Sequence, residues 1–206
     1  VLFVDTPKSE ELDRRLPVVT MLLVGGGLLA ALRPGWSSWL VYDRSAILSG
    51  QIWRMFTGHW VHFSMSHLFY DMLALGVAGW IIESKGLPHF GWLCLLAPWF
   101  ISAVLLLCEP RLNTFGGLSA LATAAIVYLV LFGLHEASPW RWICLAALLA
   151  FVVKIVFELL TGRMMFASMG NASVAVSVTS HIAGGLAAAM FYGQNRIAGL
   201  RKAHWP

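Results

Sequence analysis

The sequence predicts an all-α, polytopic membrane protein: a bundle of six transmembrane helices whose fourth is short and starts inside the bilayer. Three observations carry this expectation. Of 206 residues, 59% are hydrophobic and only 12% charged, too little polar surface for a soluble domain of that length. The apolar residues are gathered into runs near or above the roughly 20 residues that span a bilayer, rather than alternating as barrel strands do. The apolar run that follows Gly116-Gly117, finally, is too short to cross. No soluble appendage stands out, so residues 1–206 read as one domain.

The formal net charge of +4 is thinly spread over the ends of the apolar runs, where membrane topology accounts for it without a nucleic-acid partner. Cys94, Cys108 and Cys144 show no CxxC or metal spacing and read as free thiols. The chain opens on Val1 rather than Met, which leaves open whether residues precede it.

Residues 1–15 are polar and end in Asp13-Arg14-Arg15, a cytoplasmic N-terminal segment before a retained first helix from Leu16 to Leu32. Residues 33–57 mix Trp36, Trp39, Tyr42 and Trp53 with Arg33, Arg44 and Arg54, which suits a long loop in the membrane interface. A second helix is expected over 62–82 and a third over 88–107, ended by Glu109-Pro110-Arg111. The fourth runs over 117–134, the fifth over 140–160 and, after a loop, the sixth over 174–193, leaving 194–206 as a cytoplasmic tail. With the N-terminus cytoplasmic, Lys8, Arg14, Arg15, Lys85, Arg141, Arg196, Arg201 and Lys202 lie inside. Arg33, Arg44, Arg54, Arg111 and Arg163 lie outside, so eight against five satisfies the positive-inside rule. Lys154, within the fifth helix, reads as an i,i+4 pair with Glu158 near the outer interface, its stem snorkelling.

Three polar residues share a depth. Ser119 lies fifteen residues before Leu134, His181 fifteen before Arg196, and His67 sixteen before Glu83. At 1.5 Å per residue all three stand about 22 to 24 Å above the inner boundary, in one layer below the outer surface. A helix that starts at Ser119 inside the bilayer offers unpaired N–H donors and the positive end of a dipole, suited to a developing oxyanion. Gly116 and Gly117 permit close backbone approach. Taken alone, the same residues also read as a loop with an N-capping serine.

His181 has two readings as well. It is either a histidine bonded to a neighbour such as Ser177, one turn earlier, or a functional ionisable group within the membrane. Gly184 and Ala188 follow it at small-xxx-small spacing and would let a helix bearing Ser119, Ala122 and Thr123 approach closely. His67 and Asp71 share a helix face at i,i+4, whereas His62 falls off that face and nearer the surface. Neither HExxH nor a compact ligand set is present, so no metal and no cofactor are expected.

Trp53-Arg54, His67 with Asp71, Gly117-Leu118-Ser119-Ala120 and His181-Ile182-Ala183-Gly184 together resemble a rhomboid intramembrane serine protease from Leu16 to Tyr192. The resemblance implies Ser119 as nucleophile and His181 as general base, a dyad without an aspartate. His67, the Ser119 N–H and that of Leu118, with Gly117 and Asp71 in support, would form the oxyanion site. Three positions depart from the family pattern: Ala120 where GxSG has glycine, Asp71 where asparagine is common, and Thr123 where a tyrosine often stacks on the histidine.

The compact length, Asp71 and Ala120 resemble the rhombosortase branch of bacterial rhomboids, implicated in cutting the C-terminal tails of exported proteins. Such tails join a glycine-rich motif, one hydrophobic helix and a basic end. The resemblance implies a bacterial inner-membrane enzyme with both termini cytoplasmic. Its site would open to the periplasm, and its partners would be the lipid bilayer and the transmembrane segment of a protein substrate. The alternative is a catalytically inactive rhomboid-like chaperone or scaffold. A transporter is disfavoured by the lack of an internal repeat.

Overall fold

The computed structural model describes residues 16–162 and 177–203, with the side chains of the last helix followed to Asn195. Its long helices are α1 (Val18–Leu32), α5 (Met65–Ser84), α6 (Phe90–Cys108), α7 (Ser119–Gly133), α8 (Trp140–Thr161) and α9 (Val178–Ala203). Three short ones, α2 (Pro34–Leu40), α3 (Arg44–Leu48) and α4 (Arg54–Thr57), lie between α1 and α5. α5, α6 and α8 are long and apolar enough to cross a membrane, while α1 and α7 are shorter apolar helices of 15 residues. The expected segment 1–15 and the loop before α9 fall outside the described residues.

α7 is the centre of the molecule. Six successive residues, Ala120 to Ala125, are buried, so the helix is enclosed on every side rather than along one stripe. α9 lies against it where Gly184 meets the backbone carbonyl of Ala120, and Ala188 is fully buried one turn on. The Tyr128 hydroxyl donates to the Pro88 carbonyl and accepts from Asn195 Nδ2, which ties α7 to the turn before α6 and to α9. Glu83 accepts from the Val19 N–H at 3.0 Å, the Thr20 N–H at 2.9 Å and Thr20 Oγ1 at 2.6 Å. A carboxylate at the end of α5 thereby satisfies orphan donors in the first turn of α1.

Two segments carry regular structure that their residue pattern did not mark. The long loop over residues 33–57 contains the three short helices, and its backbone groups find internal partners. Tyr42 and Asp43 (β1) pair antiparallel with Phe115 and Thr114 (β2). The buried Arg54 donates through Nη1 to the Val41 carbonyl and through Nε to Gln51 Oε1, both at 2.8 Å. The unit therefore braces the strand that leads into Gly116. At the other end, α9 runs on to Ala203, so most of the expected tail from 194 continues the helix.

Candidate active site

The chain enters the site through β2 and turns at Gly117, whose φ of +125° lies in the region that favours glycine. α7 begins two residues later, and its first described bond runs from the Ala122 N–H to the Leu118 carbonyl at 2.8 Å. The N–H groups of Ser119, Ala120 and Leu121 consequently have no acceptor within the helix. No hydrogen bond among the described residues involves the Ser119 hydroxyl.

A cavity of about 140 Å³ gathers Ser119 and Thr123 from α7, His67 and Asp71 from α5, Lys154 and Glu158 from α8, and His181 from α9. The three residues assigned to one depth thus line one cavity. Larger hollows of about 510, 660 and 470 Å³ are mostly apolar grooves that contain neither Ser119 nor His181. Ser119 and His181 are not hydrogen-bonded to each other in this conformation, since His181 Nε2 is buried without a partner among the described residues.

His181 is held from its other nitrogen. Nδ1 lies 3.1 Å from Glu158 Oε2, and the same oxygen receives Lys154 Nζ at 2.8 Å. Ser177, expected as its neighbour, instead donates to Glu109 Oε1 at 2.8 Å. The Lys154–Glu158 pair is present as expected, but Glu158 is buried and shared with the histidine.

On α5, Ser64 caps the helix by accepting the His67 N–H at 3.2 Å. His67 Nε2 stands 3.1 Å from Asp71 Oδ2 without hydrogen-bond alignment. His62 departs from expectation: its Nε2 lies 3.2 Å from Asp71 Oδ2 and accepts the Leu118 N–H at 3.2 Å. The helix starts at Met65, so His62 precedes it and folds back over the site instead of following a helical face. Its Nδ1 is 3.1 Å from the Trp60 carbonyl, which only accepts, so Nδ1 carries a proton.

The Leu118 N–H, expected to face the oxyanion, is in this conformation occupied by His62. That contact also takes up the Nε2 lone pair a metal would need. A Cβ at Gly117 would lie against the His67 ring, so the glycine is what lets the turn approach α5.

A family model for the rhomboid domain matches residues 49–195, which contain every residue of this cavity. The chain belongs to the rhomboid family. A comparison with curated proteins finds no match. Rhomboids are generally intramembrane serine proteases, and the apolar helices agree with a multi-pass membrane protein. In this rhomboid two residues of the site, Glu158 and His62, are not marked as such by sequence pattern. For Glu158 a signal exists all the same: a carboxylate inside an apolar helix is costly unless it is used.

Proposed function

We propose that this rhomboid is an intramembrane serine endopeptidase that works through Ser119 and His181. One observation carries the reading: His181 keeps a buried Nε2 without a partner among the described residues, in the same small cavity as Ser119, while its Nδ1 is engaged elsewhere. Nε2 takes the Ser119 proton as Oγ attacks the peptide carbonyl, and returns it to the leaving amine. Water then hydrolyses the acyl-enzyme with the same base. The Ser119 N–H and His67 stabilise the oxyanion, and the Leu118 N–H joins them if His62 swings away.

Six helices cross the membrane as one domain, with both termini cytoplasmic and the cavity towards the periplasmic side of a bacterial inner membrane. α7, about 22 Å long, begins inside a hydrocarbon core of about 30 Å. Gly184 and Ala188 draw α9 against α7 to bring base and nucleophile together. Asp71 and Ala120 favour the rhombosortase type, whose substrate is a single membrane helix cut near its outer end. A glycine-rich stretch there unwinds readily into the site.

The test is labelling of the protein in nanodiscs with a serine-directed fluorophosphonate, alongside cleavage of a glycine-rich membrane tail. Labelling should disappear in Ser119→Ala and His181→Ala; label retained in Ser119→Ala would sink the reading. The unmade Ser119–His181 bond, together with Thr123 and Ala120, favours a second reading, an inactive rhomboid-like protein that binds membrane helices. It predicts helix binding with no labelling at all.

A further inference from the structure

α8 turns towards lipid the side chains that a soluble protein buries. Leu149, Val152, Val153, Val156, Leu159 and Leu160 are exposed, whereas Glu158 is 2% exposed and shares the described buried set of this helix only with Cys144. Burying a carboxylate without partners costs far more than burying any of those apolar side chains. Glu158 has two partners on one oxygen, the Lys154 ammonium at 2.8 Å and His181 Nδ1 at 3.1 Å; Lys154 Nζ also stands 3.2 Å from Nδ1, a longer contact in which it would donate only to a bare nitrogen.

An ionised carboxylate only accepts and an ammonium only donates. Both contacts of Oε2 are satisfied when Lys154 and the imidazole each donate to it, which requires a proton on Nδ1 and leaves Nε2 bare. We propose that Glu158 is the positioning residue for His181. It selects the ring tautomer able to accept the Ser119 proton and stabilises the imidazolium that follows, while Lys154 pins the carboxylate. Where Thr123 offers no aromatic face to support the ring, this hydrogen bond fixes its orientation. The inference rests on the protease reading and adds a third member to its dyad.

The groups around the imidazole are Lys154 and Glu158 from α8, Ser119 and Thr123 from α7, and Asp71 and His67 from α5 across the cavity. Ser180 on its own helix and Ser177 just before it bond elsewhere. Among the described residues only Glu158 is placed to accept from Nδ1.

The experiment measures ¹⁵N shifts of the His181 ring in nanodiscs, assigned by difference from His181→Gln, together with the pH profile of fluorophosphonate labelling. Wild type should show a protonated Nδ1 and a bare Nε2. In Glu158→Leu, Nδ1 loses its acceptor and faces the Lys154 ammonium, which only donates, so the proton should move to Nε2. Labelling and kcat should fall about 10²- to 10⁴-fold with KM little changed, as for loss of an orienting carboxylate in other serine hydrolases. Glu158→Asp should restore part of the rate and the original tautomer. A wild-type ring protonated at Nε2, or Glu158→Leu labelling within about threefold of wild type over the neutral range, overturns the proposal. Wild type that never labels defeats the protease reading instead, while the tautomer measurement still decides whether Glu158 holds the ring.

Discussion

Gly117 and His67 approach so closely that no side chain fits between them: a Cβ at Gly117 would stand 2.6 Å from His67 Cε1 and 2.7 Å from Nε2. The first expected outcome follows. Gly117→Ala combines a left-handed backbone with overpacking, each costing about 1–3 kcal/mol. Its Tm and Ser119 labelling should both fall. Gly25→Ala, inside α1 where a Cβ meets nothing within 4 Å among the described residues, is the control: labelling should not change and Tm should hold or rise slightly.

The α7–α9 contact is tested at Gly184. An added methyl runs into the Ala120 carbonyl, which belongs to a helix backbone and cannot step aside. Gly184→Ala should therefore lower stability by about 1–3 kcal/mol and slow labelling. At Gly185 a Cβ would stand 3.7 Å from the nearest side chain, an ordinary contact. There the gain in helix propensity, about 1 kcal/mol, should leave Gly185→Ala neutral or slightly stabilised in a thermal melt.

Asp71 holds two histidines near one oxygen. Asp71→Ala strips His62 and His67 of that partner and should cost about 1–3 kcal/mol, with a matching loss of labelling. Asp71→Asn keeps a polar atom of the same size at that place, so it should retain more activity than alanine. Equal losses in the two variants would remove the hydrogen-bonding role.

Asp43 caps α3 by accepting the Ala46 N–H at 2.9 Å, and that bond holds its carboxyl below the ordinary carboxylate range. A depressed folded-state pKa contributes stability above the unfolded value and loses it as pH falls through the folded one. Asp43→Ala should therefore cost about 1 kcal/mol at neutral pH and less in acid. Asp43→Asn, an equal cap without charge, should match wild type at neutral pH and show a shallower acid fall in thermal melts.

Residue spacing alone groups Ser119, His67 and His181, which line one cavity. Applied to α8, the same count puts Lys154 about 21 Å and Glu158 about 27 Å from Trp140, on either side of the layer shared by Ser119, His67 and His181. What spacing does not encode is which of them touch. A pair spaced i,i+4 looks complete in itself, and nothing in residues 154–158 announces that His181 competes for the same oxygen.

His62 escapes the pattern for a different reason. A helical-face argument holds only inside a helix, and Ser64 starts α5 after His62. Likewise the composition of 33–57 suggests an interface, but the pairing of Tyr42 with Phe115, more than seventy residues apart, is a tertiary event.

By itself, the sequence determined the medium and the layer: apolar runs choose lipid as solvent, and the fixed rise of a helix converts residue number into depth. Only the tertiary structure decided which side chains face one another across α5, α7, α8 and α9. The rotation of each helix about its axis is set by packing between elements, where Gly184 meets Ala120 and Gly117 meets His67, and no local periodicity encodes it.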